Sequence, residues 1–442
     1  MKKRMYLPLA IGCAALALFG CGGGGTQAPA AGTQAGGAAG EMSADPGKAG
    51  NAAAGNAAAG DAAAGDAAAG DAAAGNAAAS GQAGGVIKVG VLWSATGDTG
   101  GRGVFQKEAM EMAAKEINGA GGILGMELEL VFEDDGSDQT TSINMMNKMV
   151  ANDEIAAVFG PHTSTNAMAV SDIVERAGIP YFTGGTSVKL KDLNNPYMFK
   201  VRCNDGLVVE SAMNFATKEL GAKKIGILYI NDEFGVGGRD IMVKYCQEGG
   251  LEYVEANHNG TDQDLTSQIM QMKQENVDVL IGWSSNVCPI LARQTTELGF
   301  DKPVIMNAAF AGQDVLDSLP AESTDGKYAA TDFTAEDPDP EVKSFVDKFK
   351  AAYGKVPVGD RDAAYYGGLY MFKAAVEKAG TTDREAVKEA MYQIQDIEAP
   401  FGKLKADENG CLVHQCDIVQ AQKQEDGKCV LVLVDKVREE GF

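Results

Sequence analysis

From Val86 onward, short apolar runs alternate with segments in which apolar residues recur every three or four positions. The short runs predict buried strands, and the spaced pattern predicts helices. A strand–helix alternation of this kind is typical of a parallel sheet covered on both faces. The predicted strands are 86–92, 126–132, 155–159, 179–182, 224–230, 251–256, 277–283 and 303–306, and the predicted later helices are 235–248, 264–276, 287–298, 340–353 and 361–379.

The pattern restarts at residue 224, and each of the two runs is about the size of a domain. Two such runs predict an α/β fold with two lobes, each a doubly wound parallel sheet. The tail at 412–434 is rich in strand-forming residues, and its segment QKQEDGK predicts a hairpin.

The N-terminus is typical of an export signal. Residues 1–21 begin with three basic side chains, continue with an apolar run and stop at Cys21. Leu18 to Cys21 resembles a bacterial lipoprotein signal, which predicts that Cys21 is lipidated and anchors the chain to a membrane. An uncleaved anchor and an ordinary secretory signal remain alternatives.

Residues 22–85 contain repeats of the type NAAAG and DAAAG between Asn51 and Ser80. Glycine at every fifth position disfavours helix, and no large apolar side chain is available to build a core. The segment is predicted to be a tether that spans roughly 45 Å on average as a flexible coil.

The composition excludes some partners. The formal charge is −23, and 45% of residues are apolar. A strongly acidic chain is a poor partner for nucleic acid or an anionic membrane surface, whereas an acidic surface favours solubility. We therefore expect no nucleic-acid binding.

No catalytic constellation is evident. His162, His258 and His414 lack metal-ligand spacing, and no nucleophile–base pair stands out, so we predict neither enzyme activity nor a metal or cofactor. The segment FGVGGRD invites a dinucleotide interpretation, but Asp240 occupies the place of the third glycine and would repel a pyrophosphate. A tight strand-to-helix turn is the favoured interpretation.

Six cysteines remain beyond the signal, and export would permit disulfides among them. Free buried thiols are the alternative, and the sequence does not decide between them. These residues are Cys203, Cys246, Cys288, Cys411, Cys416 and Cys429.

Two polar turns follow neighbouring predicted strands. PHTSTN follows 155–159, and Ser164 stands where the next helix begins, while TGGTSV follows 179–182. Ligands of open parallel sheets lie at the carboxyl ends of strands, where helix N-termini present free N–H groups. We expect the turns to lie side by side and to bind a carboxylate, although capping of the helix is an alternative role for Ser164.

These pieces resemble a known family. The segments VGVLWSATGD, INGAGGILG, GPHTSTNAMAVSDIVERAGIPYFTGGTS and KKIGILYINDEFGVGGRD are similar to extracytoplasmic solute-binding lipoproteins of the branched-chain amino acid ABC transporter family. The resemblance covers nearly all of 86–395. It implies the periplasmic binding protein type I fold, with two lobes joined by three crossings and a ligand trapped by hinge closure. The lobes are predicted as 86–204 plus 333–395, and 205–332 plus 396–442.

The resemblance also implies roles for individual residues. Ser164 matches the position that binds the ligand α-carboxylate, and the second turn matches the one that holds carboxylate and ammonium groups. Phe234 matches an aromatic cover on the opposite lobe, and two first-lobe residues lie at the cleft mouth. The residues implied to bind ligand are Ser164, Gly185, Thr186, Ser187, Phe234, Trp93, Arg102, Trp283 and Ser284, together with the wall loops at 283–285 and 307–310.

Three departures bear on specificity. Ala308 and Ala309 stand in a wall loop that often carries a carboxylate for the ligand ammonium, and Arg102 stands where an aromatic residue is frequent. The disulfide of some relatives is not expected, because Ser137 and Thr163 occupy its approximate places. A guanidinium can pair with a second carboxylate, so Arg102 predicts a ligand with an extra anionic group. Pairing of Arg102 with a nearby acid such as Asp98 is the alternative.

The resulting expectation is a lipid-anchored, extracytoplasmic protein that delivers a small amino acid or related carboxylate to the permease and ATPase subunits of an ABC importer. A receptor or chemosensory module that binds a ligand without transport is the alternative.

Overall fold

A computed structural model describes residues 84–439. The predicted signal with Cys21 and nearly all of the predicted tether lie outside these residues. No helix within 84–439 is long and apolar enough to cross a membrane.

The described chain alternates strands and helices, numbered here in chain order. The strands are β1 (Val86–Trp93), β2 (Glu127–Asp134), β3 (Ile155–Phe159), β4 (Tyr181–Thr183), β5 (Met198–Lys200), β6 (Lys224–Ile230), β7 (Glu252–His258), β8 (Val279–Trp283), β9 (Val304–Met306), β10 (Tyr328–Thr331), β11 (Ile397–Ala399), β12 (Gly402–Leu404), β13 (Gln415–Lys423) and β14 (Cys429–Arg438). The helices are α1 (Gly100–Gly119), α2 (Gln139–Val150), α3 (Ser164–Ala177), α4 (Asp205–Asn214), α5 (Glu233–Gly249), α6 (Thr266–Gln274), α7 (Cys288–Glu297), α8 (Gln313–Ser318), α9 (Ala321–Thr324), α10 (Pro340–Tyr353), α11 (Asp362–Ala379) and α12 (Arg384–Met391).

The first sheet has five parallel strands in the order β2-β1-β3-β4-β5. Helices α2 and α3 pack together, and α1 packs against α10 and α11. In β3, Phe159 packs into one core and Val158 into another, so the strand is buried on both faces. Burial on both faces explains why this strand is an unbroken apolar run rather than an alternating one.

The second sheet has seven strands in the order β14-β13-β10-β9-β8-β6-β7. Strands β6 to β10 pair with one another in parallel. The hairpin β13–β14 extends the sheet beyond β10, and β13 is antiparallel to both β10 and β14. Helix α4 packs against α5, β10 and β13, which places it on this second sheet.

The predicted alternation is confirmed, and strands 155–159 and 224–230 and helix 340–353 have the predicted bounds. The other predicted strands and later helices occur with ends shifted by a few residues. The tail forms the predicted hairpin, which extends to Arg438. The sequence prediction missed β5, α4, α8, α9, β10, β11, β12 and α12, which are mostly short.

Within the described residues, the chain passes between the two sheets three times. It does so after β5, after β10 and after β12. The hairpin β11–β12 packs against α10 and α11, so it contacts helices of the first sheet. The lobe limits drawn from the sequence remain predictions.

Candidate functional site

A cavity of about 60 Å³ lies between the two sheets, at the carboxyl ends of their strands. Loops that follow β3, β4, β6, β8 and β9 contribute to its wall, together with the starts of α4 and α11. This is the place where open α/β sheets bind ligands. The volume would hold roughly four to six waters, which is the space of a small solute.

Ser164 joins the two polar turns. It is the first residue of α3, and its buried Oγ accepts hydrogen bonds from the amides of Thr186 and Ser187, both at 3.1 Å. The turns therefore lie side by side, as predicted. Capping of α3 belongs to Thr163, whose side chain accepts a bond from the amide of Asn166 at 3.4 Å. Because the oxygen of Ser164 accepts two bonds, its own proton is free for a further acceptor.

The second turn runs close to its neighbours. The amide of Gly184 donates to the hydroxyl of Tyr365 at 3.1 Å. A Cβ at Gly184 would lie 2.2 Å from Nδ1 of His162, so a larger residue would displace the imidazole. Glycine is required here because the backbone passes directly over a buried ring.

The opposite wall is aromatic. Phe234, at the start of α5, stacks on Trp283, at the end of β8, with ring centroids 5.7 Å apart. The indole Nε1 of Trp283 is buried and has no hydrogen-bond partner within 84–439. Ala308 and Ala309 line the cavity, so the wall loop after β9 provides no carboxylate there, as predicted.

The carboxylates on the second-sheet side of the cavity belong to segments other than the loop after β9. Asp205, the first residue of α4, is 2% exposed, and its Oδ2 has no partner in the described chain. Burial raises the pKa of Asp205 to about 7, although the Thr186 hydroxyl and Arg202 act in the other direction. Asp232 also lines the cavity and caps α5 by accepting a bond from the amide of Gly235 at 2.8 Å. Both acids belong to the side of the second sheet.

Charged residues at the start of α11 line the same cavity as Asp205 and Asp232. Asp360 and Arg361 line the cavity, and Arg361 is 4% exposed. Nε and Nη1 of Arg361 have no hydrogen-bond partner among the described residues. Nε2 of His162 lies 4.0 Å from Oδ2 of Asp360. Burial, and then the cations Arg361, Arg202 and Arg102, hold the pKa of His162 well below its usual value, so this imidazole is neutral.

Arg102 has protein partners. Its Nε lies 3.3 Å from Oδ2 of Asp314 in α8, and its Nη1 lies 3.3 Å from Oδ2 of Asp360. Although burial opposes the charge, these two carboxylates raise the pKa of Arg102. Arg102 is not among the residues that line the cavity, and its acids differ from Asp98, the partner named in the sequence-based alternative.

Of the nine predicted ligand-binding residues, Ser164, Thr186, Phe234 and Trp283 line the cavity. Gly185 and Ser187 lie in the same turn but outside the wall. The hydroxyl of Ser187 donates to the backbone carbonyl of Glu233 at 3.4 Å, which joins the two sides of the cleft.

Trp93 and Ser284 also lie outside the cavity wall. Trp93 packs edge-on against Phe132, with ring centroids 6.1 Å apart. Oγ of Ser284 accepts a bond from the amide of Val287 at 3.4 Å, which shapes the loop after β8.

Sequence reasoning missed Arg202, Asp205, Asp232, Asp360 and Arg361. The last two stand in the segment GDRDAA, where two charged residues precede α11 and a third begins it, although most of this helix is buried. Charged side chains at the start of an otherwise apolar helix were the signal for Asp360 and Arg361, because charged side chains are rarely buried unless they have a partner.

The glycines of FGVGGRD have packing roles. A Cβ at Gly235 would lie 1.9 Å from the carbonyl oxygen of Ile230, and one at Gly238 would lie 2.3 Å from Nε1 of Trp283. Gly235 and Gly238 thus allow close packing of α5 on β6 and β8, in agreement with a tight turn.

No group of His, Cys, Asp and Glu within 84–439 has the arrangement of a metal site. The six cysteines of this region are buried free thiols.

A two-lobed α/β fold with a polar cavity between the lobes defines a solute-binding protein of the periplasmic type I class. The chain matches the family described as periplasmic binding protein over residues 86–428, and it belongs to that family. The family consists of extracytoplasmic solute-binding proteins and not of enzymes.

Similar proteins agree with this assignment. The chain is 28% identical to Leu/Ile/Val-binding protein homolog 7 of Brucella suis biovar 1 over 371 residues, which cover 79% of this chain and 92% of that protein. It is 28% identical to the leucine-, isoleucine-, valine-, threonine-, and alanine-binding protein of Pseudomonas aeruginosa over 333 residues, covering 75% and 88%. The crystal structure of a leucine binding protein from Thermotoga maritima has the same fold, with a TM-score of 0.74, 22% identity and coverage of 80% and 100%.

Proposed function

We propose that this chain is the substrate-binding component of an ABC importer, which captures a small amino acid or related carboxylate between its lobes and delivers it to the permease. The observation that carries the proposal is a small cavity whose buried walls hold unpartnered polar groups of both charges. Relatives named for binding branched-chain and other small amino acids support the same solute class.

The first side of the cavity suits a carboxylate. Ser164 begins α3, where backbone amides are not used within the helix, and its hydroxyl proton is available. Neutral donors of this kind hold an anion without a counter-ion. We propose that the α-carboxylate of the solute binds the hydroxyl of Ser164 and the backbone amides at the start of α3.

The other side suits an ammonium group. Asp205 and Asp232 are acids of the second-sheet side, and Oδ2 of Asp205 has no partner in the described chain. A cation bound there would stabilise the ionised carboxylate, which burial disfavours. Asp205 and Asp232 would thus provide the counter-charge for the ammonium group that the wall loop, with Ala308 and Ala309, lacks.

We further propose that the lobes close on the solute, with limits near 86–204 plus 333–395 and 205–332 plus 396–442. Contacts across the cleft support a closed form. Nζ of Lys189 lies 3.1 Å from Oε2 of Glu233, and Arg102 reaches Asp314. Such contacts would be lost if the lobes opened.

A thermal-shift screen of amino acids and organic acids tests the solute class. A solute that binds only the folded chain stabilises it by about 2.7 kcal/mol at a hundred times its Kd. We expect amino acids to raise the melting temperature, while sugars of similar size leave it unchanged. A screen in which no amino acid or organic acid acts would contradict the proposed solute class.

Two further experiments test closure and transport. Solution scattering should show a smaller radius of gyration at saturating solute, and an identical profile would contradict closure. Uptake of the labelled solute by cells should require the chain. Normal uptake without it, together with retained binding, would favour the sensory alternative.

The proposed lipid anchor depends on Cys21. Replacing Cys21 by serine should release the protein from the membrane or leave its signal uncleaved. Unchanged retention with normal cleavage would show that another feature anchors the chain.

A further inference from the structure

The buried arginines Arg202 and Arg361 line the cavity and the half-buried Arg102 lies near it, and two of these three have carboxylate partners. Arg202 pairs with Asp332 at 2.7 Å, and Arg102 pairs with Asp314 and Asp360, each at 3.3 Å. Arg361 forms no ion pair among the described residues, although its side chain lines the cavity. Asp360 and Asp135 act on its charge, but neither carboxylate forms a hydrogen bond or an ion pair with it.

The surroundings of Arg361 are those of an anion site. The residue is 4% exposed, so water provides little compensation for its charge. Its neighbour Asp360 is engaged through Oδ2, which contacts Arg102 and faces His162, while Oδ1 has no hydrogen-bond partner among the described residues. A buried guanidinium with two unused donor atoms would bind a carboxylate well.

This anion site is additional to the one at Ser164. Neutral donors at the start of α3 suffice for one carboxylate, and Asp205 on the opposite side suits an ammonium group. A monocarboxylic amino acid would satisfy both and leave Arg361 unpaired. Among the described residues of the wall, Val208 is the only branched aliphatic side chain, and the other apolar side chains are Phe234, Trp283, Ala308 and Ala309.

We propose that the solute is an amino acid with an acidic side chain, and that Arg361 binds its second carboxylate. This inference rests on the proposed function, since it names the solute that the same cavity binds. It assigns to Arg361 the part that the sequence suggested for Arg102.

The test compares each acid with its amide, which has nearly the same shape. Calorimetric titration of the purified chain with L-glutamate, L-glutamine, L-aspartate, L-asparagine and L-leucine gives the dissociation constants. We expect one of the acids to bind about 10–100-fold more tightly than its amide, the range for a hydrogen bond to a charged group. Leucine should bind more weakly than that acid.

Variants of Arg361 and of Arg102 separate the roles of these two arginines. Arg361→Gln should abolish the preference for the acid by the same factor, while Arg361→Lys should retain part of it because the charge remains. Arg102→Gln is the matched control. It should weaken binding of acid and amide by the same factor and leave their ratio unchanged.

Stability of the ligand-free chain provides an independent measurement. Removing an unpartnered buried cation relieves an unfavourable burial, so Arg361→Met should raise the melting temperature. A structural role for Arg361 would instead make this variant less stable. A lower melting temperature together with an unchanged acid-to-amide ratio would overturn the inference.

The remaining outcomes are also distinct. Equal loss of acid and amide binding in Arg361→Gln would assign Arg361 to the α-carboxylate and overturn the inference, while the proposed function would stand. Tighter binding of leucine than of either acid would also overturn the inference and leave the proposed function standing. Absence of binding by any amino acid or organic acid would contradict the proposed function itself, and the inference would fall with it.

Discussion

Arg202 and Asp332 form a buried, two-point ion pair between two of the segments that connect the sheets. Nη2 lies 2.7 Å from Oδ1, and Nε lies 3.0 Å from Oδ2. The same carboxylate accepts a bond from the amide of Cys203 at 3.2 Å. Both crossings are therefore held at one point, beside the cavity that Arg202 lines.

Replacing Asp332 by alanine should lower the free energy of unfolding by about 3–5 kcal/mol, because Arg202 would remain buried without its partner. Chemical denaturation measures this change. The double variant Arg202→Met with Asp332→Leu should recover much of the loss. Glu248→Ala is the control, since its pair with Lys244 is exposed and 3.9 Å long, and it should change stability by less than about 1 kcal/mol. An equally small effect at Asp332 would contradict the buried pair.

Replacing Ser164 by alanine should cost stability as well as affinity. The amides of Thr186 and Ser187 would lose their acceptor in a buried turn, at a cost of about 1–3 kcal/mol in unfolding free energy. Thr165→Ala is a matched control in the next position, since the Thr165 hydroxyl has no partner in the described chain. Thermal denaturation of the ligand-free variants checks both. Equal melting temperatures for the two would show that Ser164 does not join the turns.

Asp314→Asn should weaken the closed form, because Arg102 would lose a partially buried contact across the cleft. We expect solute affinity to fall about three- to tenfold with little change in stability. Glu233→Gln removes the more exposed pair with Lys189 and should have a smaller effect, since exposed ion pairs contribute about 0–1 kcal/mol. Titration calorimetry compares the two. A larger loss of solute affinity in Glu233→Gln than in Asp314→Asn would contradict the stronger contribution of the contact between Arg102 and Asp314.

The contribution of Asp205 to the stability of the ligand-free chain should fall as pH rises toward 7. Burial raises the pKa of Asp205 to about 7 from 3.8, so the folded chain binds this proton more tightly than the unfolded chain. The stability that protonated Asp205 contributes is fully present below about pH 4, and it is lost as the pH rises from there through about 7. The charged groups that act on Asp205 are Arg202, Asp332 and Asp232, and the Thr186 hydroxyl also contacts it.

Comparison with Asp205→Asn isolates this group from the other acids. The stability of the wild type relative to the variant should fall by roughly 2–4 kcal/mol between pH 4 and pH 8, as measured by denaturant unfolding. A difference that stays constant over this range would show that Asp205 ionises normally in the folded chain.

The sequence predicted the layered fold well because its signals are local. Strand 155–159 is an unbroken apolar run and helix 340–353 has a clear helical period. They are followed by Gly160 and Gly354, so their ends could be placed. Strands β5 and β10 have three and four residues, too few to show a period. Their existence depends on pairing with neighbouring strands.

The site was predictable only in part. Ser164 and Thr186 follow adjacent strands, so the sheet topology brings them together. Arg361 is almost 200 residues further along the chain, and it reaches the cavity through the packing of α11 on α1. Likewise, the acids that contact Arg102 come from α8 and from the segment before α11, which no local pattern relates to α1.

The packing of α1 against α11 has a consequence for the order of synthesis. The first sheet is complete by Lys200, but two of the helices that cover it begin at Pro340 and Asp362. The second sheet likewise waits for β13 and β14. A growing chain therefore cannot finish one lobe before it starts the other, and each half exposes apolar surface until the last quarter of the chain has emerged. Folding and unfolding should accordingly involve both lobes as one cooperative unit.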